Sequence, residues 1–439
     1  MKTNAYLKSS YTINSINSDI MGVTTKNKKK LLVRGALPGE EVTLINLAKK
    51  KGKLIATADE VVNPNSLRIK AKCEYSKVCG GCSLQHLSSS TQLELKQKEV
   101  QRQLYDFAGL IDVEFMPAIT ANTWGYRRKA RLGVRYVAKK DRYLVGFREF
   151  NTSFLTDMET CDILVPQVGQ KLRELSELIS KLSIANKIPQ IEVTAADNAT
   201  ALLFRHLEEF NTTDLRLLQD FGKTHNFQIY LQADSYVNSK MIYPQQSEPL
   251  YYILPKYDLK LLFKVYDFIQ VNSEINMALI AQALAWLELS ENDHVLEGFC
   301  GIGNFSLPIA KYAASVTAIE NCTSLLEDAR QNAILNKLSN IDFLADDLYN
   351  CKQTSSYFAN TKFTKLFLDP PRSGAGPWLP TALSTQPETI VYVSCHSASL
   401  AKDAAILKEA GYNLTKIAIA DMFPHTNHVE TIAQFKYQG

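Results

Sequence analysis

Hydrophobic positions change their period along the chain. Up to about residue 62 they come in short alternating runs, Leu31-Leu32-Val33, Val42-Thr43-Leu44-Ile45 and Leu54-Ile55-Ala56-Thr57-Ala58. The turn Gly35-Ala36-Leu37-Pro38-Gly39-Glu40-Glu41 precedes the second run, and the basic tip Lys49-Lys50-Lys51-Gly52-Lys53 precedes the third. Several short strands within so few residues predict a small OB-like β-barrel over residues 1–65, an architecture that binds single-stranded nucleic acid. From Gln92 to Phe107 the period becomes helical, with Leu93, Val100, Leu104 and Phe107 on one predicted apolar stripe. Residues 66–265 otherwise mix strands (Gln190 to Thr194, Ala201 to Phe204) with a helix from Glu174 to Leu182, as in an α+β domain. Over 266–439 the segments alternate: helix 272–288, strand 293–299, helix 304–313, strand 315–320, helix 323–336. That order predicts a Rossmann-like, doubly wound parallel sheet. The whole reads as a multidomain α/β chain with no internal repeat.

Composition narrows the class. The 439 residues are 46% hydrophobic and 21% charged, as in ordinary globular proteins. The start, Met1 to Ser18, is polar and lacks the apolar core of a secretory signal. The longest apolar stretch, Ile275 to Leu289, is broken by Asn276, Gln282 and Glu288 and is too short to span a bilayer. A cytoplasmic protein without a membrane partner is expected. The net charge of +4 hides an asymmetry: residues 1–72 carry fourteen Lys/Arg against five Asp/Glu. A second basic segment, Trp124 to Arg148, has Arg127, Arg128, Lys129, Arg131, Arg135, Lys139, Lys140, Arg142 and Arg148 against Asp141 alone. Trp124, Tyr126, Tyr136, Tyr143 and Phe147 are interleaved with it. Cations beside stacking rings suit single-stranded RNA; a charged hairpin face with core aromatics is the structural alternative.

Four cysteines carry a second signal. Cys73, Cys79 and Cys82 sit around the turn Cys79-Gly80-Gly81-Cys82, and Cys161 lies downstream. Thiolates converging on a tight turn suit zinc or an iron–sulfur cluster, and spacing alone leaves both open, with plain buried cysteines as the third reading.

The glycines of Gly298-Phe299-Cys300-Gly301-Ile302-Gly303 follow a predicted strand and open a helix, letting a ligand approach the backbone. Glu320 closes the next strand, where a carboxylate can hold a ribose's hydroxyls. This suits S-adenosylmethionine, with Asp347 of Asp346-Asp347 placed to face the adenine. Asp369-Pro370-Pro371-Arg372 follows strand Lys365 to Leu368 and is similar to the Asp-Pro-Pro-Tyr of amino-methyltransferases, with arginine where an aromatic covers the base. Cys395 ends the apolar run Ile390-Val391-Tyr392-Val393-Ser394, a good way to present a nucleophile. Cys300 is the competing thiol, inside the glycine turn. In Asp421-Met422-Phe423-Pro424-His425-Thr426-Asn427-His428-Val429-Glu430, Glu430 reads as a base, with a metal set of His425, His428 and Glu430 as the lesser alternative.

With these segments assembled, the chain resembles the RNA (uracil-C5)-methyltransferases, and within them the ribosomal-RNA branch, over nearly its whole length. Gly35-Ala36-Leu37-Pro38-Gly39-Glu40 is similar to a TRAM domain. Cys73-x5-Cys79-Gly80-Gly81-Cys82-x-Leu84-Gln85-His86 is similar to that branch's cluster motif. Asp267-Phe268-Ile269-Gln270-Val271-Asn272, Phe299-Cys300-Gly301-x-Gly303-Asn304-Phe305 and Phe423-Pro424-His425-Thr426-x-His428-x-Glu430 match three motifs of the catalytic part. The resemblance implies a [4Fe-4S] cluster on Cys73, Cys79, Cys82 and Cys161, displacing zinc. It implies Cys395 as nucleophile, Glu430 as base, and a cofactor and uracil pocket lined by Gln270, Phe299, Asn304, Glu320, Asp347 and Asp369. It further implies a flipped-out uridine of 23S rRNA as substrate, a monomer, and packing of the Gln92–Phe107 helix on the catalytic domain. The chain departs from the family at three places. Ser394-Cys395-His396-Ser397 stands for Ser-Cys-Asn-Pro, Glu297-Gly298 for Asp-Leu, and Lys264-Val265-Tyr266 lacks the usual proline.

Overall fold

The computed structural model describes residues 7–111, 113–350, 358 and 361–438; the first six residues of the polar start lie outside them. Three sheets of six or seven strands follow one another along the chain. The first is six-stranded, in the order β1 (Leu7–Thr12), β5 (Glu41–Lys50), β6 (Lys53–Val62), β4 (Lys29–Arg34), β3 (Gly22–Lys26) and β2 (Ser15–Ile16), with β5 and β6 as its long hairpin. Alternation turns Leu31, Val33, Val42, Leu44, Ala56 and Ala58 to one core. The second sheet runs β12 (Lys240–Tyr243), β11 (Phe227–Gln232), β10 (Thr200–Arg205), β9 (Gln190–Ala195) and then a two-strand hairpin. Its β7 (Lys129–Val137) and β8 (Arg142–Gly146) form the cationic hairpin. The helix Leu172–Lys181 packs on β8.

The third sheet runs β17-β16-β15-β18-β19-β21-β20. The five strands β15 (His294–Gly298), β16 (Ser315–Glu320), β17 (Ile341–Ala345), β18 (Lys365–Leu368) and β19 (Thr389–Ser394) are parallel. The expectation of a parallel sheet needs one correction. β20 (Tyr412–Ala420) and β21 (Glu430–Tyr437) are antiparallel, since the short loop 421–429 returns the chain directly without a crossover helix. The edge beyond β20 is covered by residues 115–119, which bridge to it at Phe115–Ile417 and Ile119–Ala420.

Helix α1 (Ser89–Ala108) starts at Ser88, whose side chain accepts from Thr91 N, and ends at left-handed Gly109. It packs against the helix Ser397–Glu409. Its buried row is Gln92, Lys96, Val100, Leu104 and Ala108, which shares Val100 and Leu104 with the stripe read from the sequence, while Leu93 packs half-buried beside it. The contact follows the ridge of residues four apart. Phe107 falls beside that ridge and is 46% exposed, with only the Lys402 ammonium over its ring. No helix among the described residues is long and apolar enough to cross a membrane.

Candidate active site

The carboxyl ends of the parallel strands place the side chains. β15 pairs Gly298 with Ile319 on one side and Leu368 on the other. One residue further on, Phe299, Glu320 and Asp369 therefore emerge side by side. β19 and β21 pair Ser394 with Thr431, and that register sets Cys395 opposite Glu430. These five side chains line one cavity of about 610 Å³ together with Gln270, Asn304 and Asp347. All eight pocket positions read from the sequence thus meet in one place.

Glu430 and Glu297 at the base of the cavity are buried. Burial pushes the Asp369 carboxyl up to about 7. Burial, then the nearby Asp369, raises Glu430 well above the ordinary carboxylate range. Glu297 beneath them is pushed up to about 8 by burial, with Asp369 adding to it. The Cys395 thiol is raised to about 11 by burial and by Glu430 and Asp369, while Arg372 pulls it down. The arginine of Asp-Pro-Pro-Arg therefore faces the thiol electrostatically. Cys300 is more deeply buried than Cys395, and burial raises its thiol well above the usual value.

Two of the three departures from the family that the sequence resembles find local answers. His396 is the N-cap of the helix Ser397–Glu409: its Nδ1 accepts from Ser399 N at 3.3 Å, as an asparagine side chain would, and Ser397 takes the first helical position where proline is favoured. At Gly298, an added Cβ would lie 2.4 Å from the Trp378 ring. The missing side chain leaves that space to the fully buried Trp378, which supports Phe299 edge-on at 6.2 Å.

Around the cofactor loop, Phe299 and Gly303 adopt left-handed φ of 67° and 92°. Glu320 receives Gly301 N at 3.2 Å and Cys322 N at 2.9 Å. Asn304 is pinned from outside: its Oδ1 accepts from Tyr252 OH at 2.9 Å, and its amide exchanges two hydrogen bonds with that of Asn276. Tyr252 at the cavity wall and Asn276 behind it carry no sequence signal, since an isolated aromatic or asparagine outside a motif reads as packing.

The basic segment is divided. Arg128 and Lys129 turn inward: Arg128 Nε donates to Gln270 O at 2.9 Å and its guanidinium lies over Tyr252, while Lys129 Nζ donates to Val265 O at 2.6 Å. Gln270 lies within the segment Asp267–Asn272 and Val265 just before it. Arg131, Arg135, Lys139, Lys140 and Arg148 remain exposed.

Cys73, Cys79, Cys82 and Cys161 all line one small cavity walled by Trp124 and Phe147. Burial pushes Cys82 up to about 12 and Cys161 to about 11, and neighbouring cysteine thiols add to each rise. Gly81 N points at Cys79 Sγ, 3.4 Å away. Arg34 of the first sheet, 3% exposed, donates Nη2 to the carbonyls of Ser76, Cys79 and Cys82 and stacks on Phe150. Among the described residues no three Cys, His, Asp or Glu side chains are grouped as they would be around a single ion. His425 and His428 thus form no metal set with Glu430; His425 stacks on Trp124 at 4.1 Å instead.

The family model for tRNA (uracil-5-)-methyltransferases matches residues 88–436. The 23S rRNA (uracil(1939)-C(5))-methyltransferase RlmD of Alkalilimnicola ehrlichii is 40% identical over 97% of this chain and 96% of its own. The protein of the same name from Nitrosococcus oceani is 41% identical over 97% and 95%. Among solved structures, the Pyrococcus abyssi tRNA (uracil-54, C5)-methyltransferase in complex with S-adenosyl-L-homocysteine shares the fold. Its TM-score is 0.74 at 24% identity, covering 97% of this chain and 99% of that one. With nearly the full length matched at this identity, the chain belongs to the RNA uracil-C5 methyltransferase family.

Proposed function

We propose that the chain methylates C5 of a uracil in 23S rRNA, with S-adenosylmethionine as methyl donor, Cys395 as nucleophile and Glu430 as base. The observation that carries the reading is the register that sets Cys395 opposite Glu430, with Asp369 in the same cavity.

Uracil C5 is a poor nucleophile. Addition of the Cys395 thiolate to C6 makes C5 enolate-like, so that C5 can take the methyl group. Glu430 then removes the C5 proton, the C5–C6 double bond re-forms, and the sulfur leaves. A carboxylate held in a dry cavity is a stronger base than one in water, which suits this proton. Asp369 and Gln270 hold the edge of the base. Phe299, Asn304, Glu320 and Asp347 hold the methyl donor, Glu320 at the ribose. The uridine reaches the cavity flipped out of its stack. All these groups come from one chain, so a monomer suffices.

We further propose that residues 1–65 form a TRAM-type RNA-binding module, that 66–265 form the central domain and 266–439 the catalytic one. Cys73, Cys79, Cys82 and Cys161 would hold a [4Fe-4S] cluster. Their convergence on one small cavity, lined also by Trp124, Phe147, Met158 and Ile163, supports a cluster. The cluster's contribution there is bracing; thiol addition needs no electron transfer. The test offers labelled S-adenosylmethionine and purified protein to unmodified 23S rRNA and tRNA, followed by digestion to nucleosides. 5-Methyluridine in 23S rRNA is expected. Label on an amino nitrogen, or in tRNA alone, overturns the reading.

A further inference from the structure

The loop that leads into Glu430 is held almost entirely by residues from a distant part of the chain. Lys96 Nζ, buried on α1, pairs with Asp421 Oδ1 at 2.8 Å and donates to Phe423 O at 3.3 Å. Tyr126 OH donates to Pro424 O at 3.2 Å. His425 N donates to Gln92 Oε1 at 2.9 Å. His425 O accepts two amides of the cysteine turn, Ser83 N at 2.8 Å and Leu84 N at 2.9 Å. Gln92 in turn donates to Leu84 O and Leu87 O, closing the set. His425 has a φ of 65°. A non-glycine residue keeps that conformation where its surroundings enforce it, and here both backbone groups of His425 are bonded outside its own loop.

We propose that Gln92, Tyr126 and the turn carrying Cys82 are positioning elements for Glu430, so that the cysteine segment controls the elimination half of the reaction. The inference rests on the reading of Glu430 as base. Addition of Cys395 to C6 and attack of C5 on the methyl group use groups carried by the ends of β18 and β19; of the loop 421–429, Phe423 alone lines the cavity, as a wall without a proton to move. Abstraction of the C5 proton uses Glu430 alone. When the carboxylate is displaced, the C5–H bond and the C6–S bond both persist. The methylated dihydrouridine then stays attached to Cys395.

The test uses full-length protein with its cluster in three variants: Gln92→Leu, Tyr126→Phe and Glu430→Gln. Tyr126→Phe removes one hydroxyl and keeps the ring, so it remains informative if Gln92→Leu folds poorly. Iron content and circular dichroism check the fold. Expected for both positioning variants are a kcat about tenfold lower, a KM for RNA within about twofold of the parent, and a covalent protein–RNA adduct visible on denaturing gels. Parent-like kcat in both variants would show that the β20–β21 pairing alone places Glu430, and would overturn the proposal. A fall in kcat with no adduct, while Glu430→Gln accumulates it, overturns it as well. Absence of adduct from Glu430→Gln itself removes the base assignment, and the positioning role with it.

Discussion

Asn304 and Asn276 hold each other by two amide hydrogen bonds of 2.9 and 3.0 Å, tying the glycine loop to the helix Ser273–Leu287. An amide so paired cannot rotate, and Asn304 presents one fixed orientation to the cavity. Each such bond contributes about 1 kcal/mol. Asn276→Ala is therefore expected to raise the KM for S-adenosylmethionine about tenfold with little change in kcat, read by steady-state kinetics at saturating RNA. An unchanged KM would show that Tyr252 OH suffices to hold Asn304.

The protonation of the cavity sets the pH dependence. Burial and the neighbouring carboxylates push the Cys395 thiol up to about 11, and burial holds the Glu430 carboxyl well above its usual range. Both groups act in the deprotonated form, so the active fraction grows as pH rises. The profile of kcat/KM should climb continuously from pH 6 to pH 9. Arg372→Met should move it further to alkaline pH, since Arg372 lowers the thiol's value. A plateau beginning at pH 6 would contradict this.

Arg34 offers a test of the cysteine site that is independent of catalysis. One guanidinium nitrogen serves three carbonyls of the cysteine segment. Arg34→Met strands those acceptors in a buried place, at about 1–3 kcal/mol for each. Less iron per purified chain and a lower urea midpoint are expected. Full iron retention would show that the four cysteines hold their turn unaided.

The Lys96–Asp421 pair is buried on both sides, at 1% and 3% side-chain exposure. Removing one partner leaves an uncompensated charge, with a cost of about 3–5 kcal/mol. Lys96→Met should lower stability by that order in equilibrium unfolding, and Lys96→Met with Asp421→Asn should recover much of it. A single variant as stable as the parent would mean that Asp421 takes up a proton or reaches water.

What the sequence discloses follows from what local patterns can encode. Phe299, Glu320, Asp369 and Cys395 each follow an apolar run, and a parallel strand delivers its next residue to the same edge; their gathering in one cavity is legible from the order of residues alone. Asn276 and Tyr252 are invisible because their partner, Asn304, is distant in sequence and the contact needs the assembled fold. Lys96 misleads for the opposite reason. A lysine in a helical stripe reads as surface until Asp421, contributed by the far end of the chain, meets it in the core. The inward turn of Arg128 and Lys129 is hidden in the same way, since the carbonyls they serve lie more than a hundred residues on.

The strip 115–119 that borders β20 has a consequence for how this molecule can be divided. A sheet's outer strand presents unpaired amides and carbonyls to whatever it meets, and proteins guard it. Here the guard is supplied by chain that precedes the central sheet. A fragment cut at the start of the methyltransferase part would keep the cavity's walls but leave β20 bare, ready to stack on its twin. The catalytic portion is thus a region of this protein and not a detachable cassette, and transplanting its chemistry onto another RNA-binding scaffold would require carrying that border along.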